Sequence, residues 1–553
     1  MAFTSLAFLI FVAAVVIVYY LTPDRYKWIV LLLASYGYYL QASAKSFAFI
    51  LVTTIVTFYG AKYIDREDKA QKAYAKAHKA ELSRDERKAL KEASNKKKKR
   101  ILTLVLVIDF GILIVLKYFR YYLEVLGIGL FKGDILIPLG ISFYTFQTTA
   151  YLIDVYRSKY DADTDLAKFA LFVSFFPQII QGPIARHDQL AKQLYEGHPF
   201  KYANLAHGSQ LMLWGFFKKL VIADRIGLLV GEVFTDWDQY TGWPVILAAL
   251  CYSIQLYMDF SGGVDIARGV AQLMGIDMTR NFRRPYFGDS LEEFWHRWHI
   301  SLSFWTRDYI FFTVALSKPI GNLGKKARKV FGDRIGKMVP VFIGNYLVFL
   351  CIGMWQGGEL QNVCYGLYNA TVICLADILE PYFVKWLKAL HINPSNKAWM
   401  AFKMIRTYCI VSFGRIFSNG KSFKASIHMI KSLFIPYTGG FMNAYKEFAL
   451  TKYDYLVLAV AIFVVFLVSV KQEQLYNAKQ AASGGGGGII EMAGDEEGAG
   501  TDAEMREYLD KKSTALRWTL YILLFTAVLL FGIYGPRQSL KKKEKIGCLY
   551  IRV

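Results

Sequence analysis

Cysteine is scarce in this chain. There are six in 553 residues, none at CxxC spacing and none beside a histidine in metal-ligand register, which argues against a disulfide scaffold or a zinc module. Cys251, Cys351, Cys364, Cys374 and Cys409 lie in or beside apolar blocks, and Cys548 lies near the end of the chain, so they read as small hydrophobes. Proline (13) and glycine (43) are ordinary in number, which removes collagen-like and low-complexity classes. Charge is thin as well: 20% of residues are charged against 54% hydrophobic and 16% aromatic. With a mean hydropathy of +0.27, that balance excludes a soluble enzyme and defines a polytopic membrane protein.

What is present comes in long apolar blocks. Crossing a bilayer takes about 20 mostly uncharged helical residues. Residues 3–21, 28–40, 47–59, 101–116, 245–260, 339–354, 400–417, 455–470 and 518–534 are the clearest candidates. Polar-dotted blocks at 135–155, 169–184 and 211–229 read as further spans or as re-entrant helices buried in protein. The expected fold is therefore all-α, with eleven or twelve transmembrane helices plus re-entrant or interfacial ones. No Lys or Arg precedes residues 3–21 and no small-residue cleavage site follows, so that block reads as a first span rather than a removed signal peptide.

Acidic residues are outnumbered, 44 to 66, for a net charge of +22. Residues 65–100 carry 14 Lys/Arg and 7 Asp/Glu and end in KKKKR, which by the positive-inside bias makes them a cytoplasmic linker and puts the N-terminus outside. Residues 319–337, with GKKARK, are expected on the same side. A solvated, topology-setting helix explains such a run better than a nucleic-acid ligand, because juxtamembrane Lys/Arg already gains about 1 kcal/mol each from an anionic leaflet. No fixed-period repeat is visible, so an inverted-repeat transporter is not indicated. Residues 472–512 contain SGGGGG and an acidic stretch and read as a flexible loop. The remaining divisions are N-terminal helices at 1–64, a core at 101–471, a last span at 513–535 and a basic tail at 536–553.

Chemistry concentrates at residues 281–308, NFRRPYFGDSLEEFWHRWHISLSFWTRD. A charged group at membrane depth costs about 3 kcal/mol or more, so this segment must line water, bind a polar ligand or lie at the interface. His296 and His299 are three apart, which in a continuous helix would put both on one face. Three readings stay open on these residues alone: an interfacial amphipathic helix, a metal site short of a third ligand, and a buried histidine acting on an acyl group or hydroxyl. A second cluster, LYMDFSGGVDIARG at 256–269, places Asp259, Ser261 and Asp265 beside a glycine pair that suits close backbone approach, a helix break or a plain helix end. At 172–186, FVSFFPQIIQGPIAR, Pro177, Gly182 and Pro183 predict a broken helix.

PLGISFYTFQTTAYLIDVYR (138–157), FVSFFPQIIQGPIAR, GFFKKLVIAD (215–224), QLYMDFSGGVDIA, NFRRPY and FWHRWHISLSFWTRDYIF occur in that order and closely resemble the membrane-bound O-acyltransferase family. The similar branch is the bacterial one that includes the membrane subunit of alginate O-acetylation and the D-alanyl transfer protein of lipoteichoic acid synthesis. The resemblance implies a ring of helices in which a funnel and a tunnel meet at a histidine. It also implies acyl transfer from a cytoplasmic donor, such as acetyl-CoA or an acyl carrier protein thioester, to an acceptor outside. Acetyl is the favoured group and D-alanyl the runner-up. No bound metal or cofactor is implied; the implied partners are the bilayer, a carrier protein and an extracytoplasmic esterase-like acyltransferase, in a bacterial plasma membrane.

The family's first histidine motif matches Trp298 and His299. Its second, Trp-His-Gly, aligns with GMWQGG at 353–358, so that Gln356 stands where the family carries the histidine usually regarded as catalytic. A carboxamide has no protonation step near neutral pH and can only donate or accept hydrogen bonds, which shifts the base role to His299 or His296 or to the substrate itself, or leaves a weak or non-catalytic copy. Asp259, Ser261, Asp265, Asn281, Arg284, Pro285, His296, Trp298, Asp308 and Trp355 are the expected lining of the path. The family's Gly-Pro-Gly ending is replaced here by GIYGPRQSLKKKEKIGCLYIRV.

Overall fold

The structure is a computed structural model that describes residues 3–42, 44–125, 138–440, 448, 450–482 and 503–534. It is an all-α polytopic membrane protein: seven helices among the described residues are long and apolar enough to cross a membrane, and Leu6–Leu21 is a shorter apolar helix. The chain forms two compact units, Met1–Gly208 with Val270–Met278, and Ser209–Gly269 with Thr279–Val553.

In the first unit the basic segment is helical throughout most of its length. Ala44–Ala77 and Arg84–Ile114 form a hairpin whose second helix starts in a reciprocal cap: Ser83 Oγ accepts from Glu86 N, and the Glu86 carboxylate accepts from Ser83 N. Lys98, 6% exposed, reaches across the hairpin to Asp68, which also pairs with Lys72. The charges expected in a linker therefore join two long helices. Against them lies Ile141–Tyr156, buried along nearly its whole length, polar Gln147, Thr148 and Thr149 included. The break anticipated at 172–186 is present. Leu166–Ser174 ends at Phe175, whose φ of −48° and ψ of 113° are not helical, and Phe176–Gln181 restarts with Pro177 in its first turn, where a missing N–H costs nothing.

In the second unit Trp243–Leu273 runs unbroken through Ser261, Gly262 and Gly263. The glycine pair is neither a helix break nor a helix end. A Cβ at Gly215 would lie 2.5 Å from the Gly262 carbonyl oxygen, and one at Gly262 would lie 2.8 Å from that of Gly215, so two backbones touch where side chains are missing. Phe217–Ala223 follows as a π-helical turn that sends Lys218 and Lys219 onto this contact. Lys318–Gln356 folds back on itself at Gly332, whose φ is +82°, and Leu360–Ala389 and Lys397–Asn419 come next in the chain. Lys452–Ala482 continues eleven residues into the stretch expected to be a loop from residue 472, because Glu473 and Tyr476 are held by the segment described below. Ala503–Asp510 is also helical. The Gly-rich stretch 483–502 and the tail at 536–553 lie outside the described residues.

Candidate active site around His299

The region 281–311 is a sequence of short pieces rather than a helix. Pro285–Phe287 is a single 3₁₀ turn, Leu291–Arg297 and Ile300–Thr306 are two-turn helices, and Arg307–Phe311 is a π turn. Between the two short helices Trp298 is extended and His299 has φ 47° and ψ 53°, the left-handed region. Phe282 and Trp298 pair as an antiparallel bridge, Ile300 N donates to the Asn281 carbonyl at 2.9 Å, and Arg283 N donates to that of Arg297 at 3.0 Å. This bridge is what breaks the helix. It also overturns the shared face expected for His296 and His299: His296 closes the first helix and faces Glu293 at 3.7 Å, whereas His299 caps the second.

His299 is 1% exposed. Its ring stands edge-on to Phe260 (centroids 4.9 Å apart) and to Trp355 (5.2 Å), and Nδ1 lies 3.1 Å from Asn281 Oδ1. That oxygen also takes the Ser301 backbone N–H at 3.1 Å and the Ser301 hydroxyl at 2.9 Å. A backbone N–H can only donate, so the atom it meets is the carboxamide oxygen and not the nitrogen. Nδ1 must then donate to the same oxygen, which fixes the Nδ1–H tautomer and makes Nε2 the lone-pair nitrogen. Burial disfavours the imidazolium and holds the ring's pKa below its ordinary value of 6.5, so the ring is neutral at physiological pH. A neutral imidazole with a defined basic nitrogen is the state required of a general base.

Trp355 reaches His299, while the half-buried Gln356 side chain interacts with the Tyr365 phenol. Trp298 lies under the guanidinium of Arg415, which is 4.3 Å from its ring centroid and 1% exposed. Arg415 Nη1 donates to the Ser253 carbonyl (3.1 Å) and to Tyr286 Oη (2.6 Å). The signal in the sequence is an arginine set in the apolar part of Lys397–Asn419, a helix that also carries Arg406 nearer its start.

A cavity of about 50 Å³ opens beside Asn281. Ser261, Asp265, Asn281 and Arg284 of the expected lining are in its wall; Lys218, Arg268, Arg280 and Arg283 were not anticipated. Lys218, 5% exposed, bonds to Ser261 Oγ at 2.9 Å and pairs with Asp265 at 2.7 Å. Arg284 Nε meets Glu473 at 2.5 Å, and Arg297 meets the other Glu473 oxygen at 2.9 Å. Arg283 donates to Tyr476 Oη. Glu293 is pulled two ways: burial opposes its charge, but His296, Arg297 and Arg283 outweigh that and hold its pKa at about 2. The other expected residues sit apart from the cavity wall. Asp259 shares Lys219 with Asp224, Asp308 pairs with its neighbour Arg307 at 2.8 Å, and Pro285 opens the 3₁₀ turn.

A membrane-embedded helical protein in which a buried, tautomer-fixed imidazole adjoins a cationic cavity has the parts of a group-transfer enzyme. Residues 158–328, which include His299 and most of the cavity wall, match the membrane-bound O-acyltransferase family. A probable alginate O-acetylase of Pseudomonas syringae pv. tomato is 28% identical over 443 residues, 78% of this chain and 75% of the relative. A peptidoglycan O-acetyltransferase of Helicobacter pylori is 28% identical over 54% of this chain and 57% of its own. A teichoic acid D-alanyltransferase of Bacillus subtilis is 30% identical over 52% of this chain and 69% of its own. The chain belongs to the membrane-bound O-acyltransferase family and is a multi-pass membrane O-acyltransferase.

Proposed function

We propose that the protein transfers an acyl group, acetyl in the first instance, from a cytoplasmic thioester donor to hydroxyls of an exported cell-surface polysaccharide or teichoic-type polymer, with His299 as the base. The carrying observation is the Asn281–His299 pair. Oxygen nucleophiles attack a thioester carbonyl only as their proton leaves, and Nε2 of a neutral, buried imidazole is the acceptor this site offers. The similarity to alginate O-acetylases spans 78% of the chain against 52% for the teichoic acid D-alanyltransferase, which supports acetyl over D-alanyl. The donor, acetyl-CoA or a carrier-bound thioester, would be presented from the cytoplasm, and an esterase-like partner would complete the transfer outside.

The test is ester analysis of cell-surface polymer from a host lacking the gene, complemented with the native chain or with His299→Ala. Acetyl ester that returns with the native chain and not with the variant is the expected result. Alanyl ester in its place would move the assignment to D-alanyl transfer. No change in either ester would overturn the proposal and leave the non-catalytic reading that Gln356 suggests.

A further inference from the structure

Arg415 sits where two pairs of neighbouring residues meet. In the first pair, Trp298 and His299, the indole lies under the Arg415 guanidinium at 4.3 Å and the imidazole stands edge-on to Trp355 at 5.2 Å. In the second pair, Trp355 and Gln356, the indole makes that contact with His299, and the carboxamide meets the Tyr365 phenol, which also interacts with Arg415. Each pair therefore gives one member to the imidazole and the other to the arginine or its tyrosine. The contacts close into a loop behind them. Tyr365 adjoins Asn369, whose Oδ1 takes the Trp295 Nε1–H at 3.1 Å, and Trp295 follows Phe294, a second ring facing the guanidinium at 5.6 Å.

The guanidinium is itself held against Trp243–Leu273. The Ser253 carbonyl that accepts from Arg415 Nη1 also accepts from Tyr286 Oη. The helix that carries Arg415 is registered on the same stretch by Ser412 Oγ against Ser253 Oγ at 2.7 Å and by Tyr408 Oη on the Leu250 carbonyl at 2.6 Å. Phe294 and Trp298 stack with centroids 5.5 Å apart and planes 21° apart, which offers a flat cation a flat seat. A charge in such surroundings is costly, and an apolar side chain would fill the space without that cost. What the arginine adds is direction, because its plane and its fork of donors fix the plane of the indole. Trp298 is extended and His299 turns into the left-handed region directly after it, so any rotation of the indole is carried to the imidazole across one rigid peptide unit.

We infer that Arg415 is a positioning residue for acyl transfer: by gripping Trp298 on one side and Tyr365 on the other, it holds His299 and Gln356 in register. Its effect on rate rests on the proposed role of His299 as the base; its effect on the ring does not.

The experiment compares Arg415→Met, Trp298→Leu and the double variant, each as the full-length chain in a host lacking the gene. Acyl ester formed on cell-surface polymer is measured per folded chain, counted as monodisperse protein after detergent extraction. Arg415→Met should lower that rate by about 10²-fold, the loss expected when a reacting group is misplaced by about 1 Å. The double variant should lose no more than the worse single one, because both act on the same ring. Losses that multiply would overturn action through Trp298. Arg415→Lys, which keeps the charge without the flat face, should recover part of the rate, and Lys424→Gln, an exposed control, should leave it native. A merely structural arginine would lower the unfolding midpoint and the yield while each folded chain worked normally, and that result would overturn the inference. Arg415→Gln takes its place if Arg415→Met is not recovered. The readout without turnover is the structure of the purified variant. A His299 ring displaced from Trp355 is expected; a ring still 5.2 Å from Trp355 and bonded to Asn281 would overturn the inference. A displaced ring in Arg415→Met together with undiminished transfer in His299→Ala would overturn the base assignment alone.

Discussion

Replacing Asn281 by Ala removes one acceptor from three donors in the buried centre: His299 Nδ1 at 3.1 Å, Ser301 N at 3.1 Å and Ser301 Oγ at 2.9 Å. A net hydrogen bond is worth about 1 kcal/mol and a donor stranded in the interior costs about 1 to 3, so the loss over three donors should total about 3 kcal/mol or more. The Ile300 N–H bond goes to the Asn281 backbone carbonyl and survives, which keeps the bridge and localises the damage. Chemistry should suffer more than stability. With Nδ1–H no longer held, the proton redistributes between the ring nitrogens and the ring loses its orientation, and loss of a positioned base costs about 10² to 10⁴ in rate. The measurements are thermal unfolding in detergent and acyl ester released from polymer by mild alkali. Asn281→Asp is the informative companion. A carboxylate accepts the same three bonds but favours the imidazolium, so it raises a pKa that burial holds below 6.5 in the native protein. The acid limb of its activity profile should therefore move to higher pH. Native turnover and native stability in Asn281→Ala would refute the tautomer argument outright.

Three further outcomes follow from the same geometry. His299→Ala should lower transfer by about 10²- to 10⁴-fold and Gln356→Ala by less, whereas Gln356→His should raise transfer if the missing imidazole limits this copy; equal losses in the two Ala variants would refute that division of labour. Gly262→Val should cost about 1 to 3 kcal/mol or more, because its Cβ would lie 2.8 Å from the Gly215 carbonyl and 3.2 Å from Lys219 N, backbone atoms that cannot step aside; an unchanged unfolding midpoint would show that the two helices are free to part. Glu293 has a folded pKa of about 2 against an ordinary 4.5, so its contribution to stability is full above about pH 4.5 and is lost as pH falls toward 2. Glu293→Gln should accordingly lower stability near neutrality and flatten its decline in acid, and parallel native and variant curves would count against the ion pairs.

Hydrophobic run length marked most of the long helices because a bilayer leaves the chain one economical way to satisfy its backbone. It did not place helix ends: Lys452–Ala482 outlasts its apolar block because Glu473 and Tyr476 are held by Arg284, Arg297 and Arg283, partners almost two hundred positions away. Glycine spacing showed that Gly262 mattered and left open why, since close approach and helix breaking use the same residue. His299 and Asn281 stood out because a polar residue in apolar surroundings is costly unless it is used. The cavity cations Lys218, Arg268 and Arg280 were read only as parts of motifs or passed over, because a lysine or arginine near a helix end looks the same whether it faces water, a headgroup or a buried cavity. The expectation that spacing joins His296 to His299 failed for a plain reason. Periodicity assumes a continuous helix, and the Phe282–Trp298 bridge interrupts it.

That interruption is itself informative about where the fold stores strain. Arg284 and His299 are two of four non-glycine residues in the chain with positive φ among those described, each at 47°, and they flank the same bridge. A left-handed side-chain-bearing residue costs about 1 to 3 kcal/mol, and glycine would remove that cost. Glycine at either position would also remove the guanidinium from Glu473 or the imidazole from Asn281. A regular helix through 281–300 would be the easier fold for this stretch, but it would turn these two groups out of register with their partners and bury Trp298 away from Arg415. The strained turns are therefore explained by what they aim: one sets a cation on the wall of the cavity, the other sets the ring that Asn281 ties to that wall.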